Sequence, residues 1–152
     1  MNDVERFEQY AADFEVAFES DDWSVVERHF AEDAVYEVLA GPPMGGCYEG
    51  RDALLASIKQ TLDGFDRRFD SRKVTFLEGP EMRDGSVWLR ALATYAVAGA
   101  PDLAIEGEET ATFEGGRIIR LEDRYPEGVA DAVLQHLNAH GAKLHPVKAG
   151  AA

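Results

Sequence analysis

The sequence predicts an α+β fold in which helices cover one face of a curved, mostly antiparallel sheet. Two observations indicate this class: helical periodicity occupies the beginning, the middle and the end of the chain, and period-2 segments separated by turn signals run from residue 73 to residue 125. With 152 residues, of which 45% are hydrophobic, the chain is long enough to form one globular domain with its own core.

Helices are expected in the first half on the spacing of apolar side chains. The pattern predicts amphipathic helices over residues 3–19 and 51–65, with a short helix between them that ends near His29. A strand is expected over residues 34–40. The Gly/Pro-rich loop that follows, residues 41–46, is either the rim or lid of a pocket or a plain surface connection.

The second half favours strands. Residues 73–77 read as a strand that Gly79-Pro80 breaks, and Asp84-Gly85 is a hairpin turn signal before a long strand over residues 86–99. The long strand is apolar on both faces near its middle, as expected of a central strand that is covered on both sides.

The chain is expected to close with one more helix. Apolar spacing from Val129 onwards predicts it, with Gly141 as a left-handed stop. Residues 1–141 therefore form the single predicted domain. Residues 142–152 carry little apolar surface and are predicted to be a flexible tail.

Two alternating segments over residues 103–125 predict a β-hairpin that places two acids on an apolar face. A three-residue loop, Glu114 to Gly116, sets Glu109 opposite Leu121 and makes Glu109 and Asp123 diagonal neighbours; the same register pairs Phe113 with Arg117, Ala111 with Ile119, and Gly107 with Asp123. A two-residue Gly-Gly turn would bring an apolar face beside a charged one. The hairpin therefore points two carboxyl groups into the interior.

Burial would make those carboxyl groups suitable for acid/base chemistry. An acid among Ile, Phe and Leu has its charged form disfavoured, and a second acid beside it strengthens the effect, so Glu109 or Asp123 becomes able to donate and accept protons near neutral pH. Tyr125 shares the face and offers a hydrogen bond to a developing oxyanion. The alternative is structural: either acid pairs with a buried arginine such as Arg90, or with backbone donors.

The chain resembles the nuclear transport factor 2-like superfamily, and within it the SnoaL-like group of polyketide cyclases, ketosteroid isomerases and limonene epoxide hydrolases. The resemblance rests on a Phe-rich first helix and on the segments DDWSVVERHFAEDAVYEV, GCYEGRDALLASI and TFEGGRIIRLEDRY, and it spans residues 3–128. It implies a cone-shaped (cystatin-like) barrel that encloses one deep pocket, commonly in a homodimer that pairs through the outer sheet face.

Residue by residue, the resemblance carries over only in part. The oxyanion-binding tyrosine of ketosteroid isomerases falls at Phe14, their general-base aspartate at Val38, and their protonated aspartate at Glu109. Similarity to SnoaL-like cyclases implies Asp123 as general acid/base. Similarity to limonene epoxide hydrolases implies a water-activating set of Asp123, Arg90 and Glu109.

The candidate site therefore has a catalytic and a lining part. Glu109, Asp123 and Tyr125 are the candidate catalytic residues. The residues expected to line the pocket are large or apolar with one arginine: Phe14, Phe18, Trp23, Phe30, Val38, Trp88, Arg90, Ala111, Phe113 and Leu121.

Charge and composition limit the partners. A net charge of −14 disfavours nucleic acid and anionic membranes, both of which recruit clustered Lys and Arg. The lone Cys47, the charged N-terminus and the lack of a long apolar run favour a cytoplasmic protein. No metal, nucleotide or flavin motif is recognisable; His136 and His140 are four residues apart on the last helix but have no accompanying acid, so we expect no cofactor.

Two functions remain open. In the first, the protein is a cofactor-independent isomerase, cyclase, dehydratase or hydrolase acting on a small apolar molecule. In the second, the same fold is a non-catalytic ligand-binding or accessory module in which the acids are structural.

Overall fold

The computed structural model describes residues 1–147 as a curved six-stranded sheet with helices packed against one face. The helices are α1 (Asp3–Ser20), α2 (Ser24–Glu27), α3 (Arg51–Gly64) and α4 (Val129–His140), and the strands are β1 (Phe30–Leu39), β2 (Gly46–Glu49), β3 (Ser71–Arg83), β4 (Ser86–Ala96), β5 (Leu103–Glu114) and β6 (Arg117–Arg124). None of the helices in this part of the chain is long and apolar enough to cross a membrane.

The strand order is β2-β1-β6-β5-β4-β3. Only β1 and β6 run parallel, and every other neighbouring pair is antiparallel. The predicted α+β class with a strongly curved, mostly antiparallel sheet is confirmed. The sheet does not close on itself, so the cone is an open one with β2 and β3 at its edges.

Helix α1 begins with a capping box and buries one stripe. The Asn2 side chain accepts from the Glu5 backbone, and the Glu5 side chain accepts from the Asn2 backbone. Phe7, Tyr10 and Ala17 form the buried stripe, and they pack with the apolar side of α3 on the inner face of the sheet. The periodicity therefore predicted this helix to within one residue at its end.

Four strands differ from the sequence prediction. Strand β4 ends at Ala96 and not at residue 99. Strand β1 starts at Phe30 and not at residue 34, because the carbonyl of His29 already accepts from the Ile118 backbone. Strand β2, which has no alternating pattern, forms because it pairs with β1 at the sheet edge. Strand β3 continues through Gly79-Pro80 because it is an edge strand, where a missing ladder donor is tolerated.

The hairpin turn also differs. Glu114 pairs directly with Arg117, so the loop is the two-residue Gly115-Gly116 turn and not a three-residue one. A bulge at Ile119 adds one residue to β6. With a two-residue turn alone, the apolar side chains of β5 and β6 would lie on opposite faces, and the extra residue brings them back to the same face. The apolar faces therefore coincide as expected, but by a different device.

The shorter turn and the bulge each shift the register by one residue, so that together they change it by two. Ala111 lies opposite Leu121, and Glu109 lies directly opposite Asp123. The two acids are thus a direct cross-strand pair and not the diagonal neighbours that the predicted register gave.

The C-terminal helix ends differently from the prediction. Gly141 has right-handed dihedrals, with φ −57° and ψ −28°, and the chain continues into a short 3₁₀ turn, Gly141–Lys143. Gly141 is therefore not a left-handed stop.

The first part of the predicted tail is anchored. Leu144 is buried in a cluster with side chains of β4, β5 and α4. The His145 ring contacts Asp70 at 2.5 Å, and its backbone donates to the carbonyl of Arg68 at 2.9 Å. The rest of the predicted 142–152 tail falls on residues 148–152, which lie outside the described residues.

Candidate functional site

A cavity of about 720 Å³ lies between the helices and the inner face of the sheet. Its volume is within the range of small-molecule sites. Its apolar walls come from both hydrophobic clusters of the core and include Phe7, Phe14, Ile58, Leu62, Phe65, Leu89, Ala91, Ala93, Ile105 and Leu121. Its polar lining includes Glu109 with Asp123, and Asp66 with Arg72; besides the tyrosines, the other charged or hydroxyl residues there are Glu15, Thr61, Lys73 and Glu108.

Glu109 and Asp123, which we call the acid pair, reach the cavity from neighbouring strands. Strand alternation puts Glu109 on the inner face with Ala111, and Asp123 on the inner face with Leu121. Directly opposed residues have Cβ atoms about 5 Å apart, which is close enough for two carboxyl groups to meet. The hydroxyl of Tyr36 on β1 donates to Oδ2 of Asp123 at 2.5 Å.

Glu109 is buried beside the second carboxyl group of the acid pair. Burial raises the pKa of Glu109 well above its ordinary value, and the negative charge of the neighbouring Asp123 carboxyl group raises it further. Two buried carboxyl groups this close favour one shared proton on the pair, and Oδ2 of Asp123 accepts from the Tyr36 hydroxyl.

Three tyrosines surround the acid pair as neutral hydroxyl groups. Burial raises the pKa values of Tyr10, Tyr36 and Tyr125, and the nearby acids add to the effect. The Tyr36 hydroxyl donates its hydrogen bond to Asp123. No residue in the described range accepts a hydrogen bond from the hydroxyls of Tyr10 and Tyr125. Both of these residues line the cavity, so their hydroxyls are donors for a bound molecule.

Tyr125 enters the cavity across a glycine. Its backbone, just past the end of β6, donates to the carbonyl of Leu39 at 3.0 Å. Its ring lies over Gly107, where an added Cβ would come within 2.9 Å of the ring carbons Cδ1 and Cε1. The missing side chain at position 107 therefore makes the space through which Tyr125 reaches the cavity.

A second polar group occupies another part of the cavity lining. Oδ2 of Asp66 accepts from the Tyr95 hydroxyl at 3.0 Å and from Nε of Arg72 at 3.2 Å. Burial raises the pKa of Asp66, although the Arg72 charge opposes the shift. Arg72 also pairs with Glu15 at 3.1 Å, and its guanidinium lies over the Phe18 ring, 4.8 Å from the centroid.

Comparison with known proteins identifies the family. A family model described as a SnoaL-like domain matches residues 8–123. The chain belongs to the SnoaL-like family. None of the curated proteins searched matches the sequence.

Solved structures share the fold of this SnoaL-like chain. Bal32a from a soil-derived mobile gene cassette is 21% identical, with 89% of this chain and 97% of that one covered and a TM-score of 0.64. TerC, co-crystallised with polyporic acid, is 14% identical over 88% and 98%, with a TM-score of 0.63. A protein from Catenulispora acidiphila with a ketosteroid isomerase-like fold, in complex with trimethylamine, is 19% identical over 84% and 91%, with a TM-score of 0.59. At these identities the similarity shows the nuclear transport factor 2-like fold.

Of the residues expected from sequence to form the site, the three candidate catalytic residues lie together at the cavity of the SnoaL-like fold, and Phe14 and Leu121 line it. The other expected lining residues on the inner side pack elsewhere. Phe30, Ala111 and Phe113 belong to the first hydrophobic cluster beneath the cavity, Phe18 and Trp23 pack around α1 and α2, and Val38 borders a shallow depression beside residues 39–47.

Trp88 and Arg90 lie on the outer face of the sheet. The inner residues of β4 have odd numbers, from Leu89 to Tyr95, because side chains alternate along the strand. Arg90 bonds Glu78 at 2.8 Å and also pairs with Glu106, and the Trp88 indole donates to Glu108 at 3.0 Å. Arg90 therefore neither neutralises the acid pair nor completes the set seen in epoxide hydrolases.

Nearby tyrosines partly replace the two catalytic groups that ketosteroid isomerases carry at the positions of Phe14 and Val38. Phe14 and Val38 carry no reactive group, but Tyr10, one turn earlier on α1, and Tyr36, on the same face of β1 as Val38, contribute hydroxyls to the cavity. The helical spacing of apolar residues puts Tyr10 on the buried stripe of α1, but spacing assigns it no role. A buried tyrosine in the core and one in a site have the same periodicity, so spacing alone does not separate them.

Local contacts account for the rings of His29 and His136. The His29 ring lies 2.7 Å from Oδ2 of Asp13 on α1, so it joins α1 to the start of β1 rather than reaching the cavity. The His136 ring lies 3.0 Å from the carbonyl of Pro101. Within residues 1–147, no group of three or more potential ligand side chains is arranged to hold a metal ion. Met44 brings the 41–46 loop to the cavity lining.

Proposed function

We propose that this SnoaL-like protein is a cofactor-independent enzyme that moves protons next to a carbonyl group of a small, largely apolar substrate, as isomerases and cyclases do. The observation that carries the proposal is the acid pair, two directly opposed carboxyl groups in a cavity of about 720 Å³ with the hydroxyls of Tyr10 and Tyr125 beside them. The raised pKa of Glu109 supports it. Enolisation needs a donor to the carbonyl oxygen and an acceptor for the proton on the neighbouring carbon.

The proposed roles follow from the proton positions. Neutral Glu109 gives its proton to the carbonyl oxygen, and Tyr10 or Tyr125 adds a hydrogen bond there. Asp123 accepts the proton from the adjacent carbon, so an enol forms with no change in total charge. Return of the Asp123 proton to a different carbon, and of the enol proton to Glu109, releases an isomer and restores the pair. Tyr36 holds Asp123 in place at 2.5 Å.

The cavity lining favours neutral, largely apolar molecules. Apolar and aromatic side chains form most of its wall, and Arg72 is already paired with Asp66 and Glu15. Among the similar folds, TerC was co-crystallised with polyporic acid and the Catenulispora acidiphila protein forms a complex with trimethylamine. Small-molecule binding in this fold supports testing the same cavity here.

The test measures proton transfer without knowledge of the natural substrate. Small cyclic and aryl ketones are incubated with the protein in D₂O, and exchange at the carbon next to the carbonyl is followed by NMR. We expect exchange above the buffer rate, and roughly 10²-fold or more slower exchange in Glu109→Gln and Asp123→Asn. Glu106→Gln is the matched control, since Glu106 lies on the same strand but pairs with Arg90 on the outer face. Exchange that is equal in all four proteins would contradict the proposal.

A non-catalytic binding module is the second candidate. It is favoured by one observation: Asp123 is already occupied by Tyr36 and Glu109, so the acids satisfy each other without a substrate. Ketone binding with no exchange above buffer would support this module and not the enzyme.

We also propose a homodimer through the outer sheet face and a cytoplasmic location. The outer face carries Trp88 among charged residues that pair within the chain, such as Arg90 with Glu78. Light scattering across a concentration series tests the dimer, and cell fractionation tests the location, which the lone Cys47 favours.

A further inference from the structure

The cavity opens to solvent at the edge of the sheet, between β3 and α1. Val74 and Phe76 line the cavity, yet they are 37% and 43% exposed. Both lie on the inner side of β3, since they pair with the inner residues Ala93 and Ala91 of β4. On the opposite side of the opening, Ala12 of α1 lines the cavity and is exposed too. The cavity therefore has an apolar mouth.

A floor of small side chains connects this mouth with the acid pair. Ala91 on β4 lies directly between Phe76 on β3 and Gly107 on β5. Ala93 is the next inner residue of β4, and both alanines remain partly accessible although β4 is covered by a strand on each side. The ring of Tyr125 stands over Gly107 at the other end of this row. The small side chains therefore leave a trough that runs across the strands from Tyr125 to Phe76.

The length of the trough follows from the pairing of the strands. Glu109 pairs with Leu89, which is two residues along β4 from Ala91, and Phe76 lies one strand further toward the edge. With strands about 4.8 Å apart and about 3.4 Å per residue, the backbones of Glu109 and Phe76 are roughly 12 Å apart. A single aromatic ring is too short to span the trough, whereas two linked rings with a carbonyl group are long enough.

From this shape we infer that the substrate has a flat apolar body of more than one ring, with its carbonyl end at the acid pair and its far end packed on Phe76 at the mouth. The inference rests on the proposed function for the position of the carbonyl end. Ala91 and Phe76 are then specificity-determining residues. Ala91 admits the body because its side chain is small, and Phe76 contacts the ring nearest to solvent. Beside the mouth, the ion pair between Arg72 and Glu15 at 3.1 Å connects β3 with α1.

The test compares ketones of increasing length. The probes are acetophenone, 2-acetylnaphthalene and 4-acetylbiphenyl, which share the carbonyl end and differ in the apolar body. Dissociation constants come from NMR titration of the full-length protein at a fixed low concentration of dimethyl sulfoxide. Burial of a second ring predicts roughly tenfold or more tighter binding of the biphenyl ketone than of acetophenone, with the naphthyl ketone between them.

Variants assign this gain in affinity to the trough. Phe76→Ala removes an aromatic contact at the mouth, so it should reduce the gain roughly threefold or more and leave the affinity for acetophenone unchanged. Ala91→Leu fills the trough, so the biphenyl ketone should bind no more tightly than acetophenone. Leu77→Ala is the matched control and should keep the full gain, since Leu77 follows Phe76 on β3 and is 41% exposed but does not line the cavity. Because Phe76 is exposed, its variant remains informative if Ala91→Leu fails to fold.

The outcomes separate this inference from the proposed function. If the biphenyl ketone binds the wild type no more tightly than acetophenone, or if Phe76→Ala retains the full gain, the inference is wrong and the proton transfer at the acid pair still stands. If the gain depends on Phe76 and Ala91 but none of the ketones exchanges in D₂O, the trough binds as inferred and the proposed function fails. If none of the three probes binds, the inference is overturned.

Discussion

Replacement of Gly107 by alanine should displace Tyr125 from the cavity. The new Cβ would lie 2.9 Å from two carbons of the Tyr125 ring and 3.3 Å from the carbonyl of Arg124. Carbon atoms in proteins do not approach to 2.9 Å, so the ring has to move. Because the Tyr125 backbone is held by the carbonyl of Leu39, the ring cannot move without strain or loss of packing.

The expected cost is that of overpacking, about 1–3 kcal/mol in the free energy of unfolding. In a Tyr125→Ala background the ring is absent, and the sign should change. Alanine in a strand is then favoured over glycine by up to about 1 kcal/mol, because glycine loses more backbone entropy on folding. The difference between the two backgrounds measures the contact between position 107 and the ring.

Denaturant unfolding of the four proteins of this cycle gives the required free energies. Gly64→Ala at the end of α3 is the control, since a Cβ there meets no atom within 4 Å and should be neutral or stabilising. A Gly107→Ala variant as stable as the wild type, with Tyr125 present, would refute the placement of the ring over Gly107.

Three further predictions concern the acid pair and the C-terminal segment. Because the folded-state pKa of Glu109 is raised, its contribution to stability is present below the unfolded-state pKa of about 4.3 and is lost as pH rises through the folded value. The Glu109→Gln variant should therefore gain stability relative to the wild type as pH rises. A difference in the free energy of denaturant unfolding that does not change with pH would count against the raised pKa. Tyr36→Phe should cost about 1–3 kcal/mol because Asp123 loses a buried donor at 2.5 Å, and calorimetry showing no loss would rule out that bond. Leu144→Ala should cost about 2–4 kcal/mol, since Leu144 is only 8% exposed; an unchanged melting temperature would mean that this segment does not pack as described.

The alternation of side chains along each strand predicted which of them face the cavity, but it did not predict the pairing register between β5 and β6. Period 2 is a property of each strand alone, so it put Glu109 and Asp123 on the inner face. The pairing between strands depends on the two-residue Gly115-Gly116 turn and on the bulge at Ile119, and the bulge leaves no mark in the apolar pattern. The sequence-based register was consequently displaced by two residues even though the faces were right.

The second polar group of the cavity was outside the reach of sequence patterns. Asp66 is a turn residue, and the Tyr95 and Arg72 that bond it come from two different strands. Such a contact depends on the tertiary arrangement of α3 against the sheet. Arg90 is the opposite case. An arginine between apolar residues suggests a buried role, but the alternation of side chains along β4 places Arg90 on the outer face, where it pairs with Glu78 and Glu106.

The most direct test of this account is a ¹³C NMR titration of the carboxyl carbon of Glu109, with Glu109→Gln to assign the resonance. Because burial and the charge of Asp123 raise the pKa of Glu109, we expect its carboxyl group to remain protonated after the exposed carboxyl groups of the protein have titrated. Titration of Glu109 together with the exposed carboxyl groups would contradict the shared proton and, with it, the acid/base role of the pair.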